Sequence, residues 1–277
     1  GVGLLAHDAH YAGIKLLQHE DVNFTDVFHG KQGMGAGVNM VVEHPRGRNI
    51  LRGQPVTNLP KDFNHVKGEW LEKFLYEKFK DADMVFVDPL PPEFALQVIN
   101  VCKKHNVPIV CDYGKREWPQ DRTGMLLKQV LKGVNYLAVP AEAVVDGMQD
   151  GHKHSISLMN NLKKEEYNPE RFLISDSTSP VQVYDNGREF EVQIDNGYDG
   201  PLYTNGVGDT RDGALMFFLS EKEKFAKAVE MASAIASIYV RYPGDEYKHH
   251  FYEHTQKNRK LRELFSDYLP DIKRGFE

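Results

Sequence analysis

Asn205-Gly206-Val207-Gly208-Asp209-Thr210-Arg211-Asp212-Gly213-Ala214-Leu215 puts two glycines and an acid where an irregular segment turns into an apolar helix. Glycines let the backbone turn tightly and bring bare N–H groups against a ligand. The N-terminus of the helix that follows adds a partial positive charge suited to an anion. Gly206, Val207 and Gly208 are therefore candidate backbone donors of an anion hole. Asp209 stands beside them as a carboxylate able to accept the proton of an attacking hydroxyl, the acid–base work that phosphoryl transfer needs beyond positioning and charge neutralisation. Asp is also a common N-cap and Gly a common turn former, so the motif alone leaves catalysis and punctuation both open.

Working outward, Val181 to Val192 reads as two short strands joined by Asn186-Gly187, a hairpin turn. Met231 to Val240 reads as a helix of small residues that ends at Pro243-Gly244. Further upstream, strand and helix patterns alternate. Met84 to Asp88 and Pro108 to Asp112 read as short buried strands; Trp70 to Phe79 and Glu93 to His105 read as helices, the second with Phe94, Val98, Val101 and Cys102 on one face. Tyr136 to Pro140 reads as a strand, and apolar strand material resumes at Phe172 after a polar loop and short helix from Gln149. His10 to His19 reads as a helix, and Val38 to Glu43 with Arg48 to Arg52 as a hairpin. Alternation of this kind implies a mainly parallel sheet with helices on both faces and ligands at the carboxyl ends of its strands, where Asp88, Asp112 and Asp209 fall.

Composition narrows the class. The chain has 277 residues, 41% of them hydrophobic, enough for one large core, and we expect one main domain with a small lid. A net charge of −6 with scattered Lys and Arg forms no basic stripe, which argues against nucleic acid as a partner. No apolar run approaches the ~18 residues needed to span a bilayer. Cys102 and Cys111 lack C-x-x-C spacing and read as reduced core residues of an intracellular protein. His250 and His254 share a helical face and could share a metal, but no third ligand sits at a recognised spacing, so the reading assigns no metal there. Tyr247, Phe251, Tyr252, Leu261, Leu264 and Phe265 read as an apolar helix face packing on the domain or on a second subunit.

The order of these pieces resembles that of the ribokinase/PfkB carbohydrate kinases, whose signature reads G-A-G-D-T-F-x-G-A-L; here Val207 replaces the Ala and Arg211 the Phe. The resemblance runs from about Gly3 to about Asp245, so the chain opens inside what looks like the family's second or third strand, with any targeting segment upstream. It implies a ribokinase-like three-layer α/β fold over residues 1–277, mainly parallel, with a β lid hairpin at 36–53 and a helical tail at 246–277. It implies an ATP-dependent phosphotransferase acting on a hydroxyl of a sugar or sugar-like compound, with ATP and Mg2+ as cofactors, a cytoplasmic or organellar location, and a homodimer through the lid. Asp209 would be the base, and Ser233 would edge the adenine. Cys111-Asp112-Tyr113-Gly114-Lys115-Arg116-Glu117-Trp118 resembles the D-x-N-x-R…W run of fructokinases and 2-keto-3-deoxygluconate kinases, which makes Arg116 a substrate contact, although a solvated charged loop would read the same way.

Three departures concern the nucleotide, its metal and the sugar. Ser175-Asp176-Ser177-Thr178-Ser179-Pro180 matches the family's T-L-G-x-x-G nucleotide segment with both glycines replaced, leaving Ser175 and Asp176 as the contacts. Ala141 and Val144 stand where the family's N-x-x-E supports magnesium, and Glu142 is one residue out of place. The family's Gly-rich sugar-binding strands are missing. A catalytically impaired relative with a structural or regulatory role in an assembly is therefore the alternative reading, and an oxidoreductase of Rossmann type fits less well, because no G-x-G-x-x-G opens a helix after an early strand.

Overall fold

The computed structural model describes residues 2–3, 25–26, 39–44, 47–52, 69–87, 92–113, 122–140, 159–160, 162–163, 169–175, 180–193, 206–242 and 246–270. The expected helix at His10 to His19, Asp88, and most of the segment from Gln149 to Arg171 lie outside them. The chain divides into two compact units, one made of residues 1–42 and 48–77 and the other of 43–47 and 78–277. In the first, β1 (Val2–Gly3) pairs in parallel with β2 (Thr25–Asp26). The expected hairpin is present as β3 (Asn39–His44) and β4 (Gly47–Arg52), a two-stranded sheet of its own. Helix α1 (Glu69–Phe79) follows and buries Leu71 and Leu75.

The second unit is built on a six-stranded sheet ordered β10-β9-β8-β7-β6-β5. Strands β5 (Val85–Val87), β6 (Ile109–Asp112), β7 (Tyr136–Pro140) and β8 (Arg171–Ser175) run parallel. Strands β9 (Val181–Asp185) and β10 (Arg188–Val192) complete it as an antiparallel hairpin. Their turn has Asn186 at φ 48° and Gly187 at φ 88°, the pair of left-handed residues that a two-residue turn of matching twist needs. Arg171 ties the hairpin down from β8, its Nε donating to Asp185 Oδ1 at 3.0 Å while its guanidinium lies over the Tyr136 ring.

Helices α2 (Pro92–Lys104) and α3 (Arg122–Gly133) cross between the parallel strands. Pro92 opens α2 in the position where a missing N–H costs nothing, with Glu93 in its first turn and Lys103 and Lys104 in its last. Asn106, at φ 58°, closes it: Val107 N–H reaches back to Cys102 O at 2.9 Å and Asn106 N–H to Lys103 O at 3.3 Å, the paired bonds of a left-handed helix stop. The buried residues of α2 are Pro92, Ala95, Val98, Ile99, Val101 and Cys102, and Phe94, expected inward with Val98, Val101 and Cys102, is half-buried.

Both faces of the sheet are covered. Val110, Ala138, Leu173 and Val183 pack with Leu215, Phe218, Val229 and Ala232 of α4 (Val207–Ser220) and α5 (Phe225–Tyr239). Their strand neighbours Ile109, Cys111, Leu137, Val139, Phe172 and Ile174 point to the opposite face by alternation and are equally buried. Helices α6 (Glu246–Lys257) and α7 (Arg259–Leu264) extend the α4–α5 layer. Phe251 and Phe265 meet edge to face at 4.9 Å and join the same core, so this apolar face packs on the domain itself. Asn258 separates the two helices by capping α7, accepting from Leu261 N–H. His249 faces Glu253 at 3.4 Å, and His250 stacks on Tyr242. Cys102 and Cys111 are both free and buried, and burial raises the Cys102 thiol to about 11.

Candidate active site

The carboxyl ends of three parallel strands lie side by side. Asp112 of β6 is in register with Ala138 of β7, and Pro140 of β7 with Ser175 of β8. In open parallel sheets ligands bind at this edge. Ser175 is half-buried there, while Asp176, Arg116, Ala141, Glu142 and Val144 lie outside the described residues.

Helix α4 supplies the second half of the site. Its N-cap is Gly206 in the left-handed region, at φ 76° and ψ −1°, and no side chain caps the helix. Thr210 N–H makes the first intrahelical bond, to Gly206 O at 2.8 Å. The amides of Val207, Gly208 and Asp209 therefore precede the helix ladder, at the end where the helix dipole is positive. Asp209 sits in this first turn, exposed, and the N-cap role that its residue type left open belongs to Gly206 instead. Two constraints select glycine at 206: its positive φ, and Tyr239 of α5, whose Oη would be 3.1 Å from a Cβ. At Gly208 a Cβ would meet nothing within 4 Å, so the space on that side of the helix start is open.

Behind Asp209 lies a buried ion pair. Arg211 and Asp212 are 7% and 2% exposed, and Arg211 donates through Nε and Nη2 to the same oxygen, Asp212 Oδ1, at 2.9 and 2.8 Å. The other oxygen, Oδ2, is buried and has no hydrogen-bond partner among the described residues. Burial pushes the Asp212 carboxyl up to about 6; Arg211 pulls it back in part, and the negative charges of Asp112 and Asp209 push it further up. Asp112, at the carboxyl end of β6, is near enough for its charge to act on Asp212 by the start of α4.

Ser233, on the face of α5 that meets the core, is buried, and its Oγ has no partner among the described residues. Sequence reasoning missed Tyr239 and the roles of Arg211 and Asp212. A tyrosine ending a helix of small residues, and a charge pair in place of an apolar signature residue, were the available signals. Among the described residues no group of three or more His, Cys, Asp or Glu side chains could hold a metal ion. No described helix is long and apolar enough to cross a membrane.

Several solved structures share this fold. The ribokinase of Arabidopsis thaliana, complexed with ribose and ATP, is 18% identical with a TM-score of 0.62, the match covering 88% of this chain and 76% of that one. The ribokinase of Giardia lamblia is 14% identical, with a TM-score of 0.65 over 88% and 77% of the two chains. A Burkholderia thailandensis nucleoside kinase in complex with inosine is 12% identical, with a TM-score of 0.63 over 96% and 79%. None of the curated proteins matches the chain in sequence. The family model for pfkB carbohydrate kinases matches residues 12–249, through the sheet, the uncapped helix and the carboxylate beside it, and the chain belongs to that family.

Proposed function

We propose that this protein is an ATP-dependent kinase that phosphorylates a hydroxyl group of a sugar or a sugar-like compound such as a nucleoside. The observation that carries the reading is the N-terminus of α4: three amides ahead of the helix ladder, left uncapped by a left-handed glycine, with an exposed carboxylate in the same turn. Amides of Val207 and Gly208 would hold the nucleotide's phosphates, Asp209 would take the proton of the acceptor hydroxyl, and Tyr239 would border the cradle from α5. Ser175, Asp176 and Ser233 are proposed around the nucleotide and Arg116 at the acceptor. The β3–β4 hairpin is proposed as the lid and as the contact of a homodimer.

ATP supplies the transferred phosphoryl group, and the cradle fits it. The metal fits less well: Ala141 and Val144, at the family's magnesium-supporting positions, carry no oxygen-bearing side chain. That supports the second reading, a family member with impaired catalysis kept for an assembly. Phosphoryl transfer from ATP–magnesium to a panel of sugars and nucleosides separates the two, with nucleotide binding followed by calorimetry. Turnover on any panel member that is lost in Asp209→Asn supports the kinase. Binding without turnover supports the alternative, and absence of binding removes both. Under the alternative, Ala141→Asn with Val144→Glu should tighten magnesium-dependent binding by about 10–100-fold.

A further inference from the structure

A buried carboxylate with one oxygen doubly paired and the other bare is an expensive arrangement, and native proteins keep few of them. Among the described residues Asp212 is such a group, one helical turn from Asp209 and on the buried side of the helix end proposed as the anion cradle. The charged groups facing it are Arg211 and Asp209 on α4 and Asp112 at the end of β6. With Asp212 ionised, the Arg211–Asp212 pair is neutral. A proton on Oδ2 makes the pair a net cation, and a buried cation behind a phosphate-binding helix end favours an anion in front of it.

We propose that Asp212 takes up a proton on Oδ2 when a nucleotide's phosphates dock at the N-terminus of α4, so that nucleotide binding is proton-linked through a group that touches neither phosphate nor acceptor. The proton comes from solvent, forms the O–H bond at Oδ2, and returns to solvent when the nucleotide leaves. Arg211 serves two states: counter-ion to Asp212 when the site is empty, uncompensated positive charge when it is filled. Arg211 in place of the signature Phe and the acid at the variable position after it are then a single device, since a lone buried charge at either would be unpaired. The resting carboxyl near 6 puts the exchange in the neutral range. This inference rests on the nucleotide site proposed above.

Calorimetric titration of the full chain with ATP, without acceptor, in two buffers of contrasting ionisation heat at about pH 7 counts the protons exchanged. Asp212→Asn is the direct variant, but it strands Arg211. The double variant Arg211→Phe/Asp212→Asn removes both charges and keeps the test readable if the single one does not fold. The nucleotide's own titration is common to all the proteins and cancels in the difference. The parent should take up several tenths of a proton more per nucleotide than either variant. Its affinity should also fall about fivefold more between pH 6 and 8, for a carboxyl raised by one further unit. Equal proton counts and parallel pH profiles in parent and variant, both binding ATP, overturn the proposal and leave the nucleotide site standing. A parent that binds no ATP overturns both.

Discussion

Asp209 and Asp212 are carboxylates one turn apart on one helix, and they live under opposite rules. Asp209 is exposed, at the positive end of the helix, and no hydrogen bond or ion pair among the described residues holds it. Asp212 is 2% exposed, held by Arg211 through one oxygen, and pushed toward neutrality by burial. An acid that the fold does not need, placed where anions bind, is free to serve chemistry. An acid that burdens the fold and persists is held there by its partner. The contrast teaches that the same residue type on adjacent turns can carry two distinct functional signals, and that burial tells them apart.

The widest separation should come from Asp209→Asn. Catalytic turnover on an identified acceptor should fall by about 10²–10⁴-fold, the scale of a general base, while thermal stability moves by no more than about 0.5 kcal/mol, as for an exposed site. A large stability loss there would erase the distinction between the two acids.

Asp212→Asn should do the reverse and act on stability: an amide stands in for the protonated carboxyl, so in chemical denaturation its stability relative to the parent should rise between about pH 4 and 7. The double variant Arg211→Phe/Asp212→Asn, which also removes the buried cation, should follow the same pH course. Should the single substitution be strongly destabilising at pH 7, the attraction of Arg211 outweighs the burial of the carboxylate and Asp212 is not raised.

The double variant also sharpens the comparison through pH. The Asp212 carboxyl moves from 3.8 to about 6, so the folded state binds its proton more tightly than the unfolded state. Stability from this group is complete below pH 4 and is lost as pH rises through 6; the loss amounts to about 3 kcal/mol at pH 7 and above. Relative to the parent, the double variant should therefore gain stability progressively between about pH 4 and 7. Denaturation midpoints across that range check it, and a constant difference would show that Asp212 keeps its ordinary affinity for protons.

The smallest effects come from two glycines on the same helix. Gly208→Ala and Gly213→Ala both place a methyl where nothing lies within 4 Å, and each should stabilise α4 by about 0.5–1 kcal/mol. Only Gly208 faces the proposed cradle, so only Gly208→Ala should weaken ATP binding, by about 10–100-fold, the value of a charge-assisted hydrogen bond or two. Equal ATP affinity in the two variants would move the phosphates away from this helix end.

Much of the architecture is legible in the chain alone, and for local reasons. Alternation of short apolar runs with amphipathic helices marks β5 to β8. Asn186-Gly187 announces the hairpin because few residue pairs tolerate two positive φ values in succession. The glycines before an apolar helix announce the start of α4. The face assigned to Val98, Val101 and Cys102 is buried, while Phe94, one turn before Val98 on that face, is half-buried near the start of the helix.

What the chain could not disclose by itself is everything that depends on segments distant in sequence meeting. That Gly206 and not Asp209 caps α4 follows from a backbone dihedral, and the Tyr239 hydroxyl against that cap follows from the packing of α5 on α4. Arg211-Asp212 reads locally as two charges, fit for a solvated face as readily as for a core. Only the tertiary structure buries them, brings Asp112 within their field from the end of β6, and leaves one oxygen without a partner among the described residues. Local dihedral preferences and hydrophobic periodicity are properties of short windows and survive in sequence. Desolvation and through-space charge are properties of the assembled fold and arise only when it forms.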